Sequence, residues 1–317
     1  MDTQIYPLIT VGIPTYNGGN FLSQAIESLL NQTYDNLEIL ILDNCSTDNT
    51  ESIVTGFQKK DNRINYIRHS TNLGYIKNYN LIPTYASGEY MLFFADDDMY
   101  DKNYIKLLWE EFIKNPAITI AIGSVKLISP DGNEIEYINN FSKAKTESTS
   151  DLKPVDRVAR IIRYGHHREW SWGIILGLYK KEALLKHPFN LKLIDPGTLF
   201  YRSVIYEGDI AFNANAIWYK RTGGLSSAKN YGRPKDTIKT KYQDVENEVL
   251  QLYYECKTVL FAKFTLQDKL KLTATFFRYR LPELLKRNFL FVASFFSFVL
   301  VKNPYRFLKF VFSKKGK

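Results

Sequence analysis

Apolar runs of strand length alternate with stretches of helical periodicity through the first 125 residues of the chain. Runs without a helical repeat predict buried strands, whereas apolar residues spaced by three and four positions predict amphipathic helices. The predicted strands cover residues 8–14, 37–42, 64–67, 90–94 and 118–125. The first and third predicted helices cover residues 21–30 and 103–114. Between them, a second predicted helix begins with Ser46 or Asp48 as its cap and ends near residue 57. This order predicts an α/β fold with a mostly parallel sheet that helices cover on both faces.

The pattern becomes less regular after Val125. Residues 129–133 read Ser-Pro-Asp-Gly-Asn, a sequence typical of a hairpin turn. The polar stretch 139–153 predicts a mobile loop, and residues 210–219 predict a late strand.

The C-terminal part of the chain differs from the rest in charge. The whole chain has a formal net charge of +9, yet residues 257–317 alone carry 14 Lys and Arg against two acids, a net of +12. The rest is therefore nearly neutral. We divide the chain into a body, residues 1–227, and a basic, aromatic, helical tail, residues 228–317.

An apolar stretch inside this tail indicates a membrane surface. Residues 289–301 contain no charge over 13 positions, whereas a spanning helix needs roughly 20 apolar residues. Lys and Arg flank the stretch on both sides, which suits a helix lying in the interface of an anionic membrane. Packing of this helix on the body is the alternative. Nucleic acid is not expected as a partner, because it would make little use of so long an apolar run.

Composition and cysteine content predict a cytoplasmic protein. The hydrophobic fraction of 45% and the charged fraction of 24% are typical of folded globular domains. Cys45 and Cys256 are too few for a disulfide framework, and the N-terminus lacks the basic and apolar regions of a signal peptide. We expect a peripheral protein on the inner face of the cell membrane.

Polar residues directly follow three of the predicted strands. Residues 14–18, 43–48 and 96–98 read Pro-Thr-Tyr-Asn-Gly, Asp-Asn-Cys-Ser-Thr-Asp and Asp-Asp-Asp. Ligands of open parallel α/β sheets bind beyond the carboxyl ends of the strands. We therefore expect these three segments to share one pocket.

The aspartates at 96–98 predict a metal site. Adjacent carboxylates repel one another unless a cation neutralises them. Oxygen ligands suit Mg²⁺ or Mn²⁺, with substrate phosphates completing the coordination shell. An acidic turn before the next helix is the alternative.

Tyr16 and Asp43 are candidates for binding a nucleotide base. An aromatic ring beside a turn could stack on a base, and a carboxylate could accept a hydrogen bond from a base N–H. A half-buried turn tyrosine and an Asx-turn aspartate explain each residue taken alone.

Taken together, these segments resemble the nucleotide-binding half of inverting family-two glycosyltransferases, which have the GT-A fold. The order and spacing match over about the first 125 residues, with a weaker likeness to about residue 227. The matching text is at 11–17 (Val-Gly-Ile-Pro-Thr-Tyr-Asn), 25–34, 38–48, 72–74 (Asn-Leu-Gly), 87–90 (Ser-Gly-Glu-Tyr) and the aspartates. The resemblance implies a Rossmann-like GT-A domain, in which residues 1–125 bind the nucleotide-sugar and residues 126–227 bind the acceptor.

The resemblance also implies roles for individual residues of the nucleotide site. Pro14 and Tyr16 would border the base, and Asp43 would accept a hydrogen bond from it. Asn72 would complete the cofactor-binding site.

In the same comparison, Asp96 would lie near the ribose, and Asp97 or Asp98 would bind the metal that bridges the diphosphate. Many relatives begin this motif with aspartate, whereas here the first position is Ala95. The division of labour among the three aspartates therefore stays open.

In this family a carboxylate of the second half takes the proton of the acceptor hydroxyl as it attacks. Asp195 fits best, because it precedes Pro196 at a predicted helix start, although a plain N-cap is the alternative. Glu207 and Asp209 are rival bases, in a Glu-Gly-Asp text that also reads as a helix-ending turn.

Two further features belong to the acceptor and phosphate sides. Trp170 and Trp172 would line the acceptor pocket, since aromatic faces stack on sugar rings, although core packing explains a lone Trp equally well. Relatives often carry Arg-x-His near the end of the domain, where it contacts the diphosphate. Here glycine replaces the histidine, so this contact rests on Arg221 or Lys229, or is missing.

The resemblance predicts a metal-dependent inverting glycosyltransferase that uses Mn²⁺ or Mg²⁺ and a UDP- or dTDP-sugar. A basic tail suits a saccharide acceptor that is lipid-linked, as in cell-surface polysaccharide synthesis. One alternative is transfer to a polyprenyl phosphate, which is already ionised and needs no base. The other is a non-catalytic nucleotide-sugar-binding membrane scaffold.

Overall fold

The computed structural model describes residues 6–138, 156, 159, 176–188, 207–223 and 265–279. The chain forms two compact units, residues 1–158 with 164–233, and residues 159–163 with 234–317.

In the described part of the first unit, nine strands form one sheet. They are β1 (Ile9–Thr15), β2 (Leu37–Asp43), β3 (Ile64–Arg68), β4 (Tyr90–Phe93), β5 (Met99–Tyr100), β6 (Ile118–Ile128), β7 (Glu134–Ile138), β8 (Leu178–Lys180) and β9 (Asp209–Arg221). The order across the sheet is β3-β2-β1-β4-β8-β6-β9-β5, and β7 pairs with β6. Strands β1, β2, β3, β4, β6 and β9 run in one direction, and β5, β7 and β8 run against them. The expected mostly parallel α/β fold is confirmed.

Helices cover both faces of this sheet. Those described in the first unit are α1 (Leu22–Leu30), α2 (Thr50–Gln58), α3 (Tyr75–Tyr85), α4 (Tyr104–Lys114) and α5 (Lys181–Lys186). In β4, Tyr90 packs on Trp109 of α4 with ring centroids 4.9 Å apart, whereas Phe93 packs on Tyr79 of α3 at 5.4 Å. Side chains three positions apart in a strand point to opposite faces. Helices α3 and α4 therefore lie on opposite sides of the sheet.

The predicted elements of the first 125 residues are all present, with ends that differ by up to about three residues. The N-cap residue of α2 is Asn49, and Asp48 just before it accepts a hydrogen bond from the Thr50 N–H at 3.0 Å. The predicted turn at 129–133 joins β6 to β7, and Gly132 adopts φ 89° there. Glycine takes such a left-handed conformation without steric cost.

Helix α3 is an element that the sequence pattern failed to indicate. It contains Pro83, and it buries the polar Asn78 together with Ile82. An internal proline and a buried asparagine both weaken the helical pattern, because proline lacks an N–H and asparagine breaks the apolar stripe. The strands β5 and β8, with two and three residues, are too short to show periodicity.

In the second unit, the described helix is α6 (Leu266–Tyr279). Thr265 starts it as a capping residue, because its Oγ1 accepts from the Asp268 N–H at 3.1 Å and donates to Asp268 Oδ2 at 2.8 Å. Leu266 and Leu270 lie one turn apart and are 75% and 62% exposed. Among the helices of the described ranges, none has the length and apolar composition needed to span a bilayer. The predicted loop at 139–153 and the apolar stretch 289–301 lie outside the described residues.

Close packing of β1 on α3 gives a test of the fold. A Cβ added to Gly12 would collide with Cγ2 of Ile82, so Gly12→Ala should lower the free energy of unfolding by about 1–3 kcal/mol. Urea unfolding followed by circular dichroism measures this. The matched control is Gly56→Ala in α2, where the added methyl meets open space and should raise stability by up to about 1 kcal/mol. Equal midpoints for Gly12→Ala and the parent would contradict the packing.

Candidate functional site

The ends of β1, β2 and β4 are joined by hydrogen bonds at the carboxyl edge of the sheet. Thr15 Oγ1 donates to Asp96 Oδ2 at 2.6 Å, and the Asn44 N–H donates to the Thr15 carbonyl at 2.9 Å. A Cβ on Gly18 would lie 2.5 Å from Thr15 Oγ1 and 2.7 Å from Asp96 Oδ2. The loop after β1 therefore lies directly against the Asp96 carboxylate, and the three polar segments meet in one place.

The loops after β1 and β2 hold each other in unusual backbone conformations. Asn17 and Cys45 adopt left-handed φ values of 56° and 68°. The Asn17 N–H donates to Ser46 Oγ at 2.9 Å, and the Thr47 N–H donates to Asn17 Oδ1 at 2.8 Å. These reciprocal bonds compensate for the cost of a left-handed backbone.

Asp43 is fully buried beneath these loops. Its Oδ1 accepts from the N–H and the hydroxyl of Ser46 at 2.8 and 2.6 Å, and its Oδ2 accepts from the Tyr66 hydroxyl at 2.7 Å. Burial and this bond raise the pKa of Tyr66, so it remains a donor. Arg68 Nε lies 3.6 Å from Oδ2. Asp43 thus shapes the floor of the site, and direct acceptance from a base stays a prediction.

Asn72 is joined to the end of β2. Its Oδ1 accepts from Asn44 Nδ2 and from the Gly74 N–H, both at 2.9 Å, and Asn44 Oδ1 accepts from the Leu73 N–H at 2.7 Å. Tyr16 at the same edge is 45% exposed, and its ring face can receive a stacked base. Pro14 is partly buried beside it.

The aspartate motif is crowded and poorly solvated. Burial, and next the carboxylate of Asp97, raises the pKa of Asp96 to about 7. Burial also raises the pKa of Asp98 to about 7, against the opposing effect of Lys220. Such a group of carboxylates favours the approach of a cation.

Asp98 is bonded to the end of β9. Its Oδ2 accepts from Trp218 Nε1 and its Oδ1 accepts from the Arg221 N–H, both at 2.9 Å. No sequence pattern indicates this arrangement, because residues 98 and 218 are brought together only by the pairing of β5 with β9.

Arg221 is one of the two residues that the sequence offered for a diphosphate contact. Its guanidinium donates to the Asp97 carbonyl at 2.8 Å, to Gln24 Oε1 at 2.7 Å and to the Pro130 carbonyl at 2.5 Å. It also lies over the Phe21 ring, and the residue is 2% exposed. Because protein acceptors bind its guanidinium, Arg221 is not available for a diphosphate contact, and of the options left open Lys229 or no contact remains. Lys229 lies outside the described residues.

The oxygens present fit a divalent cation. Among the described residues, Asp97 Oδ1 is a buried oxygen without a hydrogen-bond donor, and Asp97 makes further interactions. Mg²⁺ is commonly held by one or two carboxylates together with substrate phosphates. Within the described ranges, no group of three or more His, Cys, Asp or Glu side chains is arranged to hold a metal. Of the two predicted ligands, Asp98 already accepts hydrogen bonds at both carboxylate oxygens.

The rival general bases lie far from this site. Asp209 begins β9 beside Ile118, and Arg221 ends it beside Ile128. This length of paired strand separates the two ends by roughly 30 Å. Glu207 accepts from His187 Nε2 at 2.8 Å on the same remote side. Neither carboxylate can serve the carboxyl edge. Asp195, Trp170 and Trp172 lie outside the described residues, so their roles stay predictions.

Comparison with known proteins supports the family suggested by the motifs. Residues 10–176 match the family model described as Glycosyl transferase family 2. Over 222 residues the chain is 32% identical to the glycosyltransferase GlyG of Streptococcus pneumoniae serotype 4, and the match covers 68% of this chain and 72% of that protein.

Two further similarities differ in extent. Chondroitin synthase of Pasteurella multocida is 30% identical over 254 residues, which cover 78% of this chain but only 24% of the synthase. The crystal structure of S. aureus TarS 1-349 in complex with UDP-GlcNAc superposes with a TM-score of 0.64 at 19% identity. That superposition covers 84% of this chain and 71% of the TarS chain, and it shows the same fold.

The loop geometry predicts a specific order of stability at Asn17. Asn17→Ala should lower the free energy of unfolding by about 2 kcal/mol, because it loses the Thr47 bond and puts alanine in a left-handed conformation. Asn17→Gly should lose only about 1 kcal/mol, because glycine adopts that conformation freely. Urea unfolding of both variants measures the order, with exposed Asn62→Ala as control. A glycine variant less stable than the alanine variant would contradict it.

Proposed function

The chain belongs to glycosyl transferase family 2 and is a glycosyltransferase, and we propose that it transfers a sugar from a nucleotide diphosphate to a saccharide acceptor with inversion. The proposal rests on one observation, namely the hydrogen-bonded meeting of the ends of β1, β2 and β4 beside three aspartates. That edge is where open α/β sheets bind nucleotides.

The favoured donor is a UDP- or dTDP-sugar. Tyr16 offers an exposed ring for base stacking, and Pro14 and Asn72 border the same space. The complex of TarS with UDP-GlcNAc, on the same fold, supports a uracil-type base. Asp43 contributes by holding the loop after β2, and it accepts from the base if that loop rearranges on binding.

In this proposal Asp97 would hold Mn²⁺ or Mg²⁺, and Asp96 would lie near the ribose. A bound divalent ion would neutralise the negative charge that develops on the leaving diphosphate. Thr15 fixes the Asp96 carboxylate through its 2.6 Å hydrogen bond. Asp96 is therefore preorganised before the donor arrives.

The chemical step is a direct displacement. The acceptor hydroxyl oxygen forms a bond to the anomeric carbon as the bond from that carbon to the diphosphate breaks, and Asp195 takes the hydroxyl proton. Trp170 and Trp172 stack on the acceptor sugar. A polyprenyl phosphate acceptor would need no such base, so the activity of an Asp195→Ala variant separates these two acceptor classes.

We assign the acceptor to cell-surface polysaccharide synthesis, with a lipid-linked saccharide as the preferred form. Similarity to chondroitin synthase supports a polysaccharide product. The tail's net charge of +12 and the exposed Leu266 and Leu270 of α6 support binding to an anionic membrane surface. The enzyme would then work on the inner face of the cell membrane.

A panel of nucleotide-sugars tests the donor and metal assignments together. With Mn²⁺ or Mg²⁺, one UDP- or dTDP-sugar should release nucleotide diphosphate, and a chelator should abolish release. Asp97→Asn should lower turnover at least roughly 100-fold, because it removes charge from the metal site. Exposed Asp35→Asn is the matched control and should keep parental turnover. Parental activity in Asp97→Asn would remove the metal assignment.

The exposed leucines of α6 test the membrane assignment. Leu266→Asp combined with Leu270→Asp should weaken partitioning into vesicles with about 30% anionic lipid by roughly 30- to 100-fold, because two leucines no longer enter the interface. Vesicle co-sedimentation measures it. Leu185→Asp, which changes a 49% exposed leucine in α5, is the control and should partition normally. Unchanged partitioning of the α6 variant would exclude this surface.

A further inference from the structure

Asp98, Trp218 and Arg221 form a buried group that connects the aspartate motif to the end of β9. We propose that this group, here named the Asp98 latch, positions the motif so that Asp97 can bind the metal, and that Asp98 is not itself a ligand. The inference rests on the proposed metal role of Asp97 and assigns different tasks to the neighbouring aspartates.

The hydrogen bonds of Asp98 argue against metal ligation. Trp218 Nε1 and the Arg221 N–H each donate to a different oxygen of its carboxylate at 2.9 Å, and all three residues are at most 2% exposed. Turning Asp98 toward a metal would leave these two buried N–H groups without their acceptor. Such groups are costly to desolvate without a hydrogen bond.

The latch depends on the short strand β5. Met99 pairs with Tyr219 and Tyr100 pairs with Trp218 in an antiparallel register. This register brings the residues just before Met99 next to the end of β9, where Arg221 Nε donates to the Asp97 carbonyl at 2.8 Å. The backbone of the motif is therefore fixed from β9.

Arg221 extends this connection to two other elements. Its guanidinium donates to Gln24 Oε1 of α1 and to the Pro130 carbonyl in the turn between β6 and β7. A planar guanidinium can serve several acceptors in different directions, whereas a lysine ammonium on its flexible stem cannot reproduce that geometry. Arg221 is therefore a positioning residue, and it does not contact the substrate.

The different roles of Asp97 and Asp98 predict that substitutions at these two positions have different effects on the stability of the metal-free protein. Asp98→Asn should lower the urea midpoint of the metal-free protein, because an amide NH₂ then faces one of two buried N–H donors. Asp97→Asn should leave the midpoint unchanged or raise it, because it relieves repulsion among the carboxylates. A midpoint for Asp98→Asn at or above that of the parent would overturn the latch.

A compensating variant separates the latch from a general loss of packing. Trp218→Phe removes the indole N–H. In the double variant that combines Asp98→Asn with Trp218→Phe, the NH₂ of the introduced asparagine therefore no longer faces a donor. The double variant should regain part of the midpoint and of the turnover at saturating Mn²⁺ lost by Asp98→Asn. The proposal would be contradicted if the losses of midpoint and turnover caused by the two substitutions were simply additive in the double variant.

Metal titration gives the final distinction. Asp98→Asn should change the half-saturating Mn²⁺ concentration less than threefold, whereas Asp97→Asn should raise it more than tenfold. The reverse order would make Asp98 the ligand and overturn the latch. If neither variant shifts it, the metal assignment of Asp97 fails, and the metal-free unfolding results still decide the structural role of Asp98. Gln24→Ala offers a milder variant if substitutions at Asp98 fail to fold.

Discussion

Repulsion among three adjacent carboxylates is the constraint around which this end of the molecule is built. Asp96, Asp97 and Asp98 follow a buried strand and lie where water solvates them poorly. Such a cluster would spread apart unless other groups held it. Thr15 holds the first carboxylate and Trp218 the third, and Arg221 holds the intervening backbone. The proposed function assigns the cation to the middle carboxylate.

The same need for fixed geometry explains the loops beside the aspartates. In the proposed function, a donor diphosphate and a metal must be placed within a fraction of an ångström, and loops reach that accuracy only when other groups restrain them. Asn17 and Cys45 accept left-handed backbones because Ser46 and Thr47 bond across the two loops. Asp43 restrains the same region from below. Asp43 therefore supports the loop after β2 in addition to its proposed contact with the base.

The two ends of the sheet have separate tasks. The carboxyl edge holds the candidate site, whereas at the other end Glu207 hydrogen-bonds to His187 and Asp209 begins β9. Distance along β9 excludes both acids as bases at the carboxyl edge. Asp195 therefore stays the proposed base, and the candidate site of the described body lies at the carboxyl edge.

The α/β order, most element boundaries of the first 125 residues and the meeting of three polar segments could be predicted from the residues alone, because apolar periodicity and strand direction are local properties. The family could be predicted too, since Tyr16, Asp43 and the aspartates keep their spacing along the chain. Two features could be seen only in the tertiary structure. Helix α3 forms despite Pro83, and the guanidinium of Arg221 donates its hydrogen bonds to other groups of the protein. Both depend on partners far apart in sequence, because packing on the sheet stabilises a helix of weak pattern, and β5–β9 pairing brings residues 98 and 221 together. A side chain's free hydrogen-bonding capacity is set by such contacts, and no local pattern records them.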